Sequence, residues 1–112
     1  MRVLVTAAAV VAALASTAVA GSSRPLLRVV DADPLVARAS GFEALERVTV
    51  SATTRRGVIV RRVRTGSRGG FTVRFPTAFD FCAGITRLRA VGVRSGAVTI
   101  RPTPRPCVDL QE

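Results

Sequence analysis

The stretch Gly69-Gly70-Phe71-Thr72-Val73-Arg74-Phe75 decides the fold that this sequence predicts. After its glycines, three large apolar residues alternate with two polar ones, and this period of two places the apolar groups on one face of a strand. The glycines supply a turn before the strand, and Pro76 ends its hydrogen-bonded ladder. We therefore expect a half-buried strand whose phenylalanines lie at the centre of the core.

Six other segments have strand-like patterns, at spacings of about ten residues with turn residues between them. They are residues 25–30, 35–40, 47–54, 58–65, 86–93 and 97–101. Residues 86–93 have two possible registers, one of which turns Leu88, Ala90 and Gly92 toward the core and leaves Arg87 and Arg89 outside. The pattern predicts an all-β fold, an antiparallel sandwich of about seven strands in one domain.

Two other segments also leave alternatives open. Residues 34–46 could instead form a helix with Asp33 as its N-cap and Pro34 at its first position. Gly41 interrupts that helix and a clean period of two follows it, so we favour the strand. In residues 58–65 either register turns an arginine inward, which indicates a bulge or a position near the sheet edge.

The first 20 residues are typical of a secretory signal peptide. Arg2 precedes a long apolar run, and Ala18-Val19-Ala20 is a small-residue cleavage site. A retained membrane anchor is the alternative, but the run is rich in alanine and near the lower length limit for spanning. We expect cleavage, export to the cell envelope or beyond, and a mature domain at 21–112 with no stable membrane span.

The chain has two cysteines, Cys82 and Cys107. In an exported protein such a pair predicts a disulfide. It would pin the C-terminal tail to the corner around residue 82 and add about 3 kcal/mol of stability. Two free thiols are the alternative.

The charge is strongly positive. All 17 basic residues are arginine, there is no histidine, and seven acids leave a net charge of +10. Removal of the leader takes away Arg2 alone, so the mature chain carries 16 arginines against the same seven acids, or +9. Such a field attracts anionic polymers or lipid head groups.

The densest group of arginines lies on the predicted hairpin around residues 55–64 and on the turn that follows it. The candidate binding residues are Arg55, Arg56, Arg61, Arg62, Arg64 and Arg68. Guanidinium groups bind phosphates and carboxylates in bidentate fashion, so the partner would be an anionic cell-envelope polymer or an acidic protein. The alternative is a charged edge that discourages aggregation. We expect no nucleic acid partner, because the chain is exported and shows no aromatic platform.

No catalytic constellation is evident. Without histidine there is no Ser-His-Asp triad, no Cys-His pair and no histidine metal site. Asp31 and Asp33 are better explained by a polar turn than by a calcium site, and Glu43 and Glu46 by a solvated loop than by a glycosidase pair. We expect no enzyme activity, no metal and no cofactor.

The sequence resembles the small immunoglobulin-like domains that GC-rich bacteria export. The residues that carry the resemblance are 35–50, Gly69-Gly70-Phe71-Thr72-Val73, Asp80-Phe81-Cys82-Ala83-Gly84, Arg89-Ala90-Val91-Gly92 and Pro106-Cys107. Ala44-Leu45 stands where a Pro-Gly turn is common. The resemblance implies an immunoglobulin-like sandwich, and its motifs supply turns and core residues but no catalytic residue.

These observations favour a non-catalytic, monomeric binding or structural module of the cell envelope. The alternative is an inhibitor of a secreted enzyme that inserts a loop such as residues 77–84 into its partner.

Overall fold

The computed structural model describes residues 24–108. Seven strands and no helix lie in this range, so the all-β prediction is confirmed. The strands are β1 (Leu26–Ala32), β2 (Leu35–Ser40), β3 (Arg47–Thr54), β4 (Gly57–Arg64), β5 (Phe71–Arg74), β6 (Arg87–Gly92) and β7 (Gly96–Ile100). The predicted signal peptide and the last four residues lie outside the described range. Within that range, no helix has the length and apolar character needed to cross a membrane.

The strands form two antiparallel sheets. One has three strands in the order β1-β2-β5, and the other has four in the order β4-β3-β6-β7. One face of each sheet contributes to a single core, because alternate side chains of β2, β3 and β6 are buried. Of the two registers possible for β6, the structure has the one that leaves the arginines outside, since Leu88 and Ala90 are fully buried.

Residues 35–40 form a strand, and the helical alternative is wrong. The turn after β2 explains why a helix cannot continue there. Gly41 has a φ of +83°, and a Cβ at this position would collide with the Arg24 carbonyl. Only glycine accepts that conformation and that close approach readily.

Strand β5 fills the core as predicted but occupies the edge of its sheet. Val73 and Phe75 are buried, and Phe71 is half-buried with its ring centroid 5.7 Å from that of Phe42. Hydrogen bonding to β2 continues beyond the four-residue strand, because the Phe75 N–H donates to the Leu35 carbonyl and the Leu35 N–H donates to the Thr77 carbonyl. The phenylalanines therefore close one side of the core while β2 is central in that sheet.

The irregular pattern of β4 is explained by its position at the sheet edge. Its pairing with β3 is continuous from Thr54–Gly57 to Arg47–Arg64, with no bulge. Ile59 and Val63 pack against the core, and Arg61 lies between them on the same face with its guanidinium carbon 5.1 Å from the centroid of the Phe75 ring. Arg61 is tolerated on this face because its guanidinium group remains exposed to solvent while it contacts the Phe75 ring.

Candidate anion-binding surface and groove

The outer face of the four-stranded sheet carries a group of exposed arginines. Because Val48, Val50 and Ala52 of β3 point into the core, their neighbours on β3 and the residues paired with those neighbours point outward. We call this group the arginine face. It consists of Arg47 on β3, Arg62 and Arg64 on β4, and Arg87 and Arg89 on β6.

The strand register sets the spacing of these arginines. Arg62 lies opposite Thr49, Arg64 lies opposite Arg47, and Arg89 lies opposite Ser51. Alternate residues on a strand are about 7 Å apart, and β4 and β6 are separated by about 10 Å because β3 lies between them. Small hydroxyl residues in the central strand leave the long guanidinium side chains free to reach a ligand lying on the sheet.

No acidic residue lies on the arginine face. Among residues 24–108 the acids are in three other places: the β1–β2 hairpin, the β2–β3 connection and the corner at residue 80. The two ion pairs found in this range join Arg94 to Glu43 (3.6 Å) and Arg105 to Asp80 (2.8 Å). The positive charge of the arginine face is therefore not neutralised within the described part of the chain.

The six arginines predicted from sequence do not share one surface. Arg62 and Arg64 lie on the arginine face, Arg61 is on the opposite side of β4, and Arg68 is in the turn before β5. The remaining two, Arg55 and Arg56, form the tip of the β3–β4 hairpin.

That tip is held by Thr54. Its hydroxyl accepts from the Arg56 N–H (3.1 Å) and donates to the Gly57 carbonyl (3.0 Å). Arg55 and Arg56 line a cleft of about 510 Å³ between the tip and residues Thr77, Ala83 and Gly84.

Sequence reasoning missed Arg47, Arg87 and Arg89 as partners of Arg62 and Arg64. Their outward positions follow from the period of two in β3 and β6. The strand order brings these arginines onto one face, because β3 pairs with β4 on one side and with β6 on the other. The local pattern does not contain that information.

A groove lies beside the arginine face at one end of the sheet. Its volume is about 800 Å³, and it lies between the end of β6, the corner segment (residues 77–84) and the proline tail (residues 101–108). Its lining residues are Thr53, Phe81, Thr86, Arg87, Arg101, Pro102, Thr103 and Pro104.

Two ties hold the corner segment to the proline tail. The predicted disulfide between Cys82 and Cys107 is present, with 5.5 Å between the two Cα atoms. Beside it, Arg105 donates to an Asp80 carboxylate oxygen at 2.8 Å. This hydrogen bond, followed by one from the Ala83 N–H, lowers the pKa of Asp80.

The opposite end of the sheet contains a buried carboxylate, so the prediction of a solvated loop is wrong for Glu46. Its side chain is 1% exposed. Oε1 accepts from the Glu43 N–H (2.8 Å) and the Ser95 hydroxyl (2.5 Å), and Oε2 accepts from the N–H groups of Arg94 (2.5 Å) and Ser95 (2.7 Å). Glu46 thereby ties the β2–β3 connection to the β6–β7 turn.

These donors determine the ionisation of Glu46. Burial alone raises the pKa of a carboxyl group, but the hydrogen bonds from Ser95, Arg94 and Glu43 outweigh burial and lower the pKa of Glu46 from 4.5 to about 2. Its two oxygens are already occupied by four donors, and Gly92 packs so closely that a Cβ there would meet Oε2. Glu46 therefore has a structural role.

The other acids have local partners. Glu43 is exposed and pairs with Arg94, and the Asp31 carboxylate accepts from the Asp33 N–H (3.2 Å) as in a polar turn. Across residues 24–108, no three potential metal-ligating side chains come together.

No protein-family model, curated protein or solved structure matches this chain.

Proposed function

We propose that this protein is a non-catalytic, exported binding module of the cell envelope that holds a linear anionic polymer on its arginine face. The observation that carries the proposal is the set of five exposed arginines on one sheet face with no acid among them. Guanidinium groups on a rigid sheet bind phosphate or carboxylate groups with little loss of freedom. Neutralising several charges at once gives useful affinity and strong dependence on salt.

The shape of the arginine face favours a polymer with repeated phosphate groups. Neighbouring arginines on the same strand are about 7 Å apart, and this regular spacing suits a polymer whose charges are also regularly spaced. Exposed valines and half-buried threonines lie between them, and no aromatic side chain of the sheet faces outward to stack on a base. An acidic protein is the competing partner.

The remaining parts of the proposal concern fold family and location. Two antiparallel sheets of three and four strands are compatible with an immunoglobulin-like sandwich. A disulfide is typical of proteins in oxidising compartments, which supports export by the predicted signal peptide. Neither the sheet arrangement nor the disulfide identifies a ligand, so the proposed binding function depends on the arginine face alone.

Binding to long-chain inorganic polyphosphate tests the function. The protein, expressed with its own leader and recovered from the periplasm of a bacterial host, is titrated at several salt concentrations. The triple variant R62Q/R64Q/R89Q removes three charges from the arginine face. We expect it to weaken binding at least about tenfold and to lower the slope of log Kd against log salt by about 3.

A second triple variant is the matched control. R28Q/R38Q/R74Q removes the same charge from the outer face of the three-stranded sheet. It should weaken binding much less than the first variant. If both variants weakened binding equally, the polymer would be attracted by the overall positive charge of the protein and not by a defined binding site, which would contradict the proposal. Tighter binding to poly-glutamate than to polyphosphate would instead favour an acidic protein partner.

An inhibitor of a secreted enzyme is the second candidate. The observation in its favour is Phe81, a large apolar side chain that is 40% exposed in the disulfide-pinned corner segment. Exposed aromatic anchors are common in protein interfaces. An inhibitor that acts through this segment would lose potency on Phe81→Ala and retain it in R62Q/R64Q/R89Q, whereas polymer binding would show the reverse.

A further inference from the structure

The groove between the corner segment and the proline tail has mixed chemistry. The ring of Phe81 and the pyrrolidines of Pro102 and Pro104 supply apolar surface, and Arg87 and Arg101 supply positive charge. Pro102 is buried at the base of the proline tail, while Phe81, Arg87 and Arg101 are exposed. Small-molecule sites combine mostly apolar walls with a few placed polar groups, at volumes of about 300–1,000 Å³, so the groove has suitable size and composition.

The two walls of the groove are joined to each other. Phe81 is adjacent in sequence to Cys82, and Arg101 lies six residues before Cys107 on the proline tail. The disulfide and the Arg105–Asp80 ion pair therefore hold the aromatic wall and the arginine wall at a fixed separation. Preorganisation of this kind reduces the entropic cost of binding.

The charge of the groove is available to a ligand. Neither Arg87 nor Arg101 forms an ion pair with any acid among residues 24–108, whereas Arg105 on the same tail does. Arg101 directly follows Ile100, which pairs with Leu88 next to Arg87. The two guanidinium groups consequently belong to neighbouring strand ends and can converge on one anion.

We propose that this groove binds a small aryl anion, a molecule with an aromatic ring and a phosphate, sulfate or carboxylate group. The ring packs against Phe81 and the prolines, and the anionic group is held by Arg87 and Arg101. This site is distinct from the polymer-binding function, with which it shares Arg87 alone.

Three probe molecules separate the contribution of the aromatic ring from that of the anionic group. The first is 1-naphthyl phosphate, the second is the uncharged 1-naphthalenemethanol, and the third is inorganic phosphate. Each is titrated into the isotope-labelled protein, and amide chemical shifts report both location and Kd. We expect 1-naphthyl phosphate to bind at least about tenfold more tightly than either of the others, with the largest shifts in residues 80–87 and 101–105.

Two single variants test the ring contact and the anion contact separately, and both leave Arg87 unchanged. Phe81→Ala should make naphthyl phosphate bind no better than phosphate, and Arg101→Gln should make it bind no better than the alcohol. Val93→Ala and Arg28→Gln are matched controls, since both side chains are exposed and outside the groove, and they should leave the Kd unchanged.

Reduction of the disulfide tests preorganisation. With the protein still folded by circular dichroism, reduction should weaken naphthyl phosphate binding about tenfold or more. The proposal is overturned if the largest shifts lie elsewhere, if Phe81→Ala binds as tightly as the wild type, or if naphthyl phosphate shows no advantage over phosphate. R62Q/R64Q/R89Q should bind naphthyl phosphate normally, so failure of one proposal leaves the other intact.

Discussion

The two ends of the four-stranded sheet are tied in opposite ways. At one end, Glu46 is buried and its carboxylate accepts four hydrogen bonds from the neighbouring connection and turn. At the other, a disulfide joins two surface segments, and the arginines and the phenylalanine beside it are exposed. The first end has its polar groups satisfied internally, and the second leaves charge and apolar surface for something outside the chain.

This difference distinguishes charged groups that stabilise the fold from charged groups that are free to bind a ligand. A buried carboxylate is tolerated because hydrogen-bond donors satisfy both of its oxygens, and donors used in this way are not free to bind a ligand. An exposed arginine without an acidic neighbour contributes little to folding and keeps its donors available. The disulfide end therefore carries the groove, while the Glu46 end supports the sheet that positions it.

Replacing Glu46 should have the largest effect on stability. Glu46→Ala removes the carboxylate that accepts from the N–H groups of Arg94 and Ser95 and from the Ser95 hydroxyl, while the Glu43 N–H keeps Ser95 Oγ as an acceptor. We expect a loss of about 3–5 kcal/mol in the free energy of unfolding. Urea unfolding measures it. Glu43→Ala is the control, because its ion pair with Arg94 is exposed and should contribute little. A loss for Glu46→Ala no larger than for Glu43→Ala would contradict the structural role.

Removing the disulfide should have the next largest effect. The double variant C82S/C107S opens a crosslink with a sequence separation of 25, and we expect a loss of about 3 kcal/mol. In urea unfolding, Glu46→Ala should cost as much free energy of unfolding in the C82S/C107S background as in the wild type, because the two ends are distant and their effects add. A combined Glu46→Ala/C82S/C107S variant that loses much less than the sum would show that the two ends are coupled.

Acid should weaken the Glu46 end. The folded-state pKa of about 2 lies below the unfolded value near 4.5. The unfolded chain therefore binds a proton first, so stability from this group is complete above about pH 4.5 and falls as the pH approaches 2. Urea unfolding at a series of pH values should show the difference between wild type and Glu46→Gln shrinking across that window. A difference independent of pH would contradict the lowered pKa.

The contrast between the ends also shows what sequence can predict. The strands follow from a local period of two, and the disulfide follows from the presence of a cysteine pair in a chain predicted to be exported. The burial of Glu46 depends on Ser95, 49 residues away, which no local pattern reveals. The arginine face likewise depends on β3 lying between β4 and β6.

The smallest effect should come from Asp80, the second carboxylate with a lowered pKa. Its hydrogen bond to Arg105 is on the surface, where water and salt screen it, so Asp80→Asn should cause no measurable loss of stability while the disulfide is intact. In C82S/C107S the same substitution removes the remaining tie of the proline tail. There it should increase the amide hydrogen exchange of residues 101–107. Unchanged exchange in that background would mean that the ion pair does not hold the tail, and the disulfide would then be the sole tie at that end among residues 24–108.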